Sequence, residues 1–172
     1  MGFDCKNTAA VARLPTRVPQ RGNGDCGIAA LAGVAGSGYE QAQAIFDQLG
    51  YGGPRPNRSG YGTNFKELRA ALALAGLGSR LCKWRDWDCL PALAIVKVGG
   101  CGDPHRARDW HWVIAARHPQ VGLAVIDGNW PGECVEHPAD GRASTLRMLY
   151  QPYGSYIEIT HGSPFLVPAS AQ

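Results

Sequence analysis

No stretch of the 172 residues approaches the roughly 18 uninterrupted apolar residues that a helical membrane span requires. The first residues, MGFDCKNTAAVARLP, lack a charged start followed by an apolar block, so they do not read as a secretory signal. Lys6 stands where a myristoylation motif opening at Gly2 needs Ser or Thr. A soluble, cytoplasmic protein is expected, with export only by a route that needs no N-terminal signal. The net charge of +3 is small and Lys and Arg are scattered, so the chain has no basic stripe to follow a phosphate backbone, and nucleic acid is not expected as a partner. Closely spaced metal-ligand pairs are also missing. The nearest cysteines are Cys82 and Cys89, and His105, His111 and His137 are scattered beyond them, so neither a metal nor another cofactor is expected. In the absence of a signal, the six cysteines read as thiols, most of them small buried hydrophobes.

The chain does have the composition of a globular domain, 45% hydrophobic and 18% charged, and it is long enough to bury a core without metals or disulfides. There is no internal repeat and no linker, so residues 1–172 read as one domain. Residues 1–19, with Pro15 and Pro19 and no period, form an extended arm or a loose end. From Asp25, Ile28, Leu31 and Val34 recur at helical steps and stop near Gly36. SGYEQAQAIFDQLG predicts a second helix, with Ser37 and Glu40 as a capping box and Gly50 as its stop. A third is predicted with Thr63 as N-cap, Phe65, Leu68, Leu72 and Ala75 on one face, and Gly76 beyond its end. Between the second and third helices, YGGPRPNRSGYG reads as a surface loop.

Beyond Gly76 the pattern changes to SRLCKW, ALAIVKV, HWVIAAR, VGLAVID, STLRMLY and SYIEIT. These short apolar or alternating runs, separated by turn residues, read as five or six antiparallel strands. Helices followed by strands argue for an α+β fold, with an N-terminal helical half packed on a C-terminal antiparallel sheet.

One constellation carries chemistry. Cys26, in QRGNGDCGIAAL, falls in the first turn of the first helix, where unpaired amides and the helix dipole favour a thiolate. Gly27 leaves the backbone beside it uncovered. Gln20, six residues earlier, is positioned to supply a second oxyanion donor beside the Cys26 amide. An imidazole is needed to pair with such a thiol and protonate a leaving amine, and it needs an orienting group in turn. In DWHWVIAARHPQVGLAVIDGNWP, His111 opens one strand and Asp127 closes the next, so a hairpin would bring them to one sheet edge. Asn129 is the alternative to Asp127 as orienter. His105, His118, His137 and His161 are assigned to solvent. Trp110, Trp112 and Trp130 are assigned to the core or to the rim of a cleft.

In this order, the segments resemble the papain-like cysteine peptidases, and among them the bacteriocin-processing peptidases that cut leader peptides after a double glycine. The resemblance runs from about Gln20 to Pro131. It rests on Gln20 with DCGIAAL, on NFKELRAALALAGL, on LPALAIVKV, and on HWVI and VIDGNWP. It implies a catalytic Cys26, a general acid and base His111, an orienting Asp127 and an oxyanion donor Gln20, acting on a protein or peptide substrate through a thioester. The insertion GGCGDPHRARD before His111 is longer than the family's usual turn and is positioned to overhang the cleft. Two other readings share the residues: acyl transfer to an amine, as in a transglutaminase or deamidase, and a silent binding module on a peptidase scaffold.

Overall fold

Three ten-residue helices come first: α1 (Cys26–Ala35), α2 (Tyr39–Gln48) and α3 (Phe65–Leu74). In the computed structural model the described residues are 9–22, 24–52, 62–99, 110–129, 134–135 and 150–167. Helix α1 is buried along nearly its whole length, from Cys26 to Val34, and not only on the face of Ile28, Leu31 and Val34. The alanines and glycines at its other positions are small enough to let neighbouring elements approach on every side. The expected stops at Gly36, Gly50 and Gly76 all adopt left-handed backbone, with φ of 65°, 70° and 78°.

Two expected caps are displaced by one residue. Gly38, not Ser37, is the N-cap of α2, and its amide donates to Gln41 Oε1 at 3.0 Å. The Ser37 amide is already bonded to the Ala32 carbonyl at 3.0 Å, closing the end of α1. Asn64, not Thr63, caps α3: its Oδ1 accepts from the Glu67 amide at 3.0 Å, and Glu67 Oε2 accepts from the Asn64 amide at 3.2 Å. Thr63 is fully buried, and its carbonyl accepts from Trp112 Nε1 at 2.8 Å.

The strands are β1 (Gly78–Lys83), β2 (Leu93–Gly99), β3 (His111–His118), β4 (Gly122–Ile126), β5 (Cys134–Val135) and β6 (Gln151–His161). They form one antiparallel sheet in the order β1-β6-β2-β3-β4-β5. This is the expected α+β architecture, with the helical half on one face of the sheet. Strand β6 begins earlier than SYIEIT suggests, and the short β5 carries no recognisable pattern of its own. Of the strand expected at 144–150, only Tyr150 is described, and it is not in a strand; most of the loop and of the insertion, with Trp130, His105 and His137, lie outside the described residues.

The alternation along the central strands sorts two cores. Leu93, Ile95, Trp112, Ile114, Ala116, Ile157 and Ile159 face the helices. Ala94, Val96, Val98, Val113, Ala115, Val125 and Tyr156 face the other way and pack with Trp87, Leu90 and Tyr150. Because both faces are buried, β2 and β3 read as nearly continuous apolar runs. Residues 9–19 of the arm are tied to the rest of the chain near their start. The Val11 amide bonds the Arg117 carbonyl at 2.7 Å and the Ala12 amide the Phe165 carbonyl at 2.8 Å. Cys26 and Cys82 are free, whereas Cys89 is disulfide-bonded, which corrects the thiol reading at that position. Pairing is decided by proximity in the fold, which sequence spacing does not report.

At Gly27, helix α1 meets the segment that leads into α3. A Cβ there would overlap Thr63 Oγ1 and lie 2.6 Å from Thr63 Cβ, a β-branched side chain fixed in the core. Gly27→Ala is therefore expected to lower stability by about 1–3 kcal/mol, read as a shift in the urea midpoint without a change in its slope.

Candidate active site

The carbonyl of Asp25 starts α1 by accepting from the Ile28 and Ala29 amides at 2.9 and 3.1 Å. The amide of Cys26, the first helical residue, is left at the positive end of the helix without an intrahelical partner. Cys26 itself is 5% exposed, so only a slender group can reach it.

His111 and Asp127 come from the β3–β4 hairpin. Its register pairs His118 with Gly122 and Ile114 with Ile126. Continued by one residue, it sets Asp127 across from Val113, on the same face as His111 and diagonal to it, a separation that long side chains bridge. His111 Nε2 lies 2.6 Å from Asp127 Oδ1. The second ring nitrogen, Nδ1, is left free of Asp127, and Cys26 is among the neighbours that favour the charged ring. Burial disfavours a charged ring, but the hydrogen bond and charge of Asp127, followed by those of Cys26, outweigh it and push the His111 pKa from 6.5 up to about 10.

Asp127 is 5% exposed and fully engaged. Its Oδ1 also accepts from the Asn129 amide at 2.8 Å, and its Oδ2 accepts from the Tyr150 hydroxyl at 2.9 Å. Burial opposes its ionisation, yet these donors and His111 hold its pKa below the ordinary 3.8. The arm secures the same segment, with Arg17 Nε donating to the Asp127 carbonyl at 3.2 Å and the Gln20 amide to the Gly128 carbonyl at 3.1 Å. Gly128 has no room for a side chain, since a Cβ would lie 2.8 Å from the Val18 carbonyl oxygen and 3.1 Å from Ala29 Cβ.

The structure thus brings Asp127 and Cys26 to the same imidazole, Asp127 by a direct contact at 2.6 Å and Cys26 as a neighbour that favours the charged ring. Gln20 is joined to the site through Gly128 and through Asp25, whose Oδ1 accepts from Gln20 Nε2 at 3.1 Å. Asn129 takes part through its backbone amide, not as an alternative side-chain partner for His111. Trp112 belongs to the core at 1% exposure, while the half-buried Trp110 stacks edge-on against it at 5.5 Å. Of the histidines assigned to solvent, His161 is exposed and His118 is half-buried, its Nδ1 accepting from the Gln120 amide at 3.2 Å.

Three contributors escape a reading of the sequence. Asp25 had a usable signal, a carboxylate directly before the cysteine and five residues after Gln20. Tyr150 and Arg17 had none, because their approach to Asp127 depends on the path of the folded chain. Among the described residues, no group of three or more His, Cys, Asp or Glu is arranged to hold a metal ion, and no helix is long and apolar enough to cross a membrane.

No family model matches the chain, and no curated protein matches it. Solved structures do. The peptidase domain of Streptococcus ComA, a bifunctional ABC transporter of a quorum-sensing pathway, aligns with a TM-score of 0.55 at 24% identity, over 83% of this chain and 96% of that domain. A double-glycine-motif protease from an AMS/PCAT transporter, solved with its leader peptide, aligns with a TM-score of 0.55 at 15% identity, over 88% of this chain and 94% of that one. The fold is that of a papain-like peptidase domain. The resemblance noted in the sequence to the bacteriocin-processing peptidases is matched by these two structures. In this papain-like fold, the cysteine comes from the first helix and the histidine and aspartate from the sheet, so the site spans the junction of the two halves.

The raised His111 pKa sets a pH signature. A pKa higher in the folded than in the unfolded protein contributes stability that is complete below about 6.5 and is lost as pH rises through about 10. In Asp127→Asn, the His111 ring resonances are expected to titrate well below the wild-type midpoint, and the decline of the urea midpoint between pH 6.5 and 10 is expected to flatten. An unchanged NMR titration would show that Asp127 does not hold the charge on the ring.

Proposed function

We propose that the protein is a thiol peptidase that hydrolyses a peptide or isopeptide bond through a thioester on Cys26. The observation that carries this reading is the His111 ring held between the Asp127 carboxylate at 2.6 Å and the Cys26 sulfur. In the proposed reaction the Cys26 sulfur, paired with a protonated His111, attacks the scissile carbonyl carbon. The resulting oxyanion is met by the Cys26 amide and by Gln20 Nε2. Collapse of the tetrahedral intermediate breaks the C–N bond, and His111 hands its proton to the leaving amine. Water, deprotonated by the now neutral His111, then attacks the thioester carbonyl and releases the acid, restoring the ion pair. Asp127 keeps the ring oriented throughout and stabilises it whenever it carries the proton.

The 5% exposure of Cys26 favours a substrate without bulk next to the scissile bond, and glycine fits that demand. The leader peptide bound to the double-glycine-motif protease of similar fold supports a peptide substrate of that kind here. A peptide with a Gly-Gly bond junction is expected to be cut faster than one with Leu-Leu there. Cys26→Ala is expected to abolish cleavage, and His111→Ala to lower kcat by about 10²–10⁴-fold. In the wild type, iodoacetamide should modify Cys26 much faster than Cys82. Equal rates at the two thiols would remove the ion pair from the mechanism. Mass spectrometry of the products separates chain scission from transfer to an amine, which would favour the transglutaminase reading.

A further inference from the structure

Asp25 is buried at 9% exposure directly before Cys26, and the reaction outlined above makes no use of it. Its carboxylate nevertheless accepts four hydrogen bonds. Oδ1 takes Gln20 Nε2 at 3.1 Å, and Oδ2 takes the Arg21 amide at 2.8 Å, the Gly22 amide at 3.0 Å and the Tyr39 hydroxyl at 2.6 Å. The side chain does not cap α1 at all; it points back into the turn that carries Gln20. We infer that Asp25 is a positioning residue that fixes the direction of the Gln20 side-chain amide, so that its NH₂ end, and not its carbonyl end, is available to the oxyanion. The inference rests on the peptidase reading given above.

The argument is one of donors and acceptors. An ionised carboxylate can only accept, so the end of the Gln20 amide that meets Asp25 must be nitrogen. That nitrogen carries a second N–H, for which the described residues offer no acceptor. At the other end of the amide, Gln20 Oε1 is buried with no hydrogen-bond partner. An orphaned buried acceptor is costly, and a freely rotating amide would turn to relieve it. Turned that way, Gln20 would present a carbonyl oxygen where negative charge develops. Asp25 opposes the turn by holding the nitrogen, while the Arg21 and Gly22 amides hold the loop and the Gln20 main chain is tied to Gly128. Burial raises the cost of ionising Asp25, but Tyr39, the Arg21 and Gly22 amides and Gln20 together keep its pKa below 3.8, so the carboxylate remains an acceptor at neutral pH.

Two reagents separate this role from a merely structural one. Iodoacetamide alkylates the sulfur by displacing iodide from a saturated carbon and forms no oxyanion. With p-nitrophenyl acetate the sulfur adds to a carbonyl carbon, an oxyanion forms, the ester C–O bond breaks, and p-nitrophenolate leaves an acetyl thioester on Cys26. In Asp25→Asn, acylation by p-nitrophenyl acetate is expected to slow by about 10-fold or more, with iodoacetamide alkylation within about 2-fold of wild type. In the Gln20→Ala background, Asp25→Asn should cause no further loss of acylation. Equal slowing with both reagents, or additive losses in the double variant, would overturn the role of Asp25 while leaving the peptidase reading intact. Reaction of Cys26→Ala at the wild-type rate with both reagents would remove the peptidase reading itself. Should Asp25→Asn fail to fold, NMR of the wild type decides. The Gln20 side-chain NH₂ is expected to give two widely separated proton resonances, one of them slow to exchange, and a pair at random-coil positions would overturn the inference.

Discussion

The short contact between His111 Nε2 and Asp127 Oδ1 organises everything around it. It settles which ring nitrogen faces the carboxylate and therefore which faces Cys26. It also settles the charge of the ring, because burial would otherwise drive the imidazole neutral. A carboxylate strong enough to reverse that preference must itself remain ionised in a dry place, and Asp127 does so by accepting from the Asn129 amide and the Tyr150 hydroxyl as well as from His111. Each donor removes part of the cost of keeping an unneutralised charge inside the fold.

The two cores explain why that contact is steady. The central strands are packed on both faces, so the His111 end of β3 and the Asp127 end of β4 have little freedom to slide. A slip of one residue in their register would send one of the two side chains to the opposite face. On the helical side, Gly27 of α1 is packed against Thr63, and Gly128 is packed between the arm at Val18 and α1 at Ala29, so that neither position has room for a side chain. The arm completes the assembly, since Arg17 and Gln20 bond the backbone just after β4, tying the turn before α1 to the segment that carries the aspartate. Three separated parts of the chain are therefore held to one another around a single imidazole.

Asp25 illustrates how a buried charge can be held entirely by its local turn. A carboxylate beside a cysteine sulfur is, by charge alone, an obstacle to forming a thiolate. Four donors offset that charge locally, and the side chain points away from the helix start into the preceding turn. What remains is a rigid acceptor whose geometry sets the direction of a neighbouring amide.

Much of this was open to a reader of the sequence. The order of helices and strands, the helix stops at Gly36, Gly50 and Gly76, and the cysteine at a helix start follow from local periodicity and from the conformational habits of glycine. The hairpin joining His111 to Asp127 follows from two runs of similar length. The caps at Gly38 and Asn64 did not, because Ser37 is engaged by the end of α1 and Thr63 is drawn into the core, and both events depend on neighbours distant in the chain. Likewise Tyr150 and Arg17 reach Asp127 across 23 and 110 residues. Local sequence determined which elements form and which residue types stand at their ends. Only the packed fold decided which donors surround each buried charge, since a hydrogen bond between distant residues exists only once the chain between them has closed.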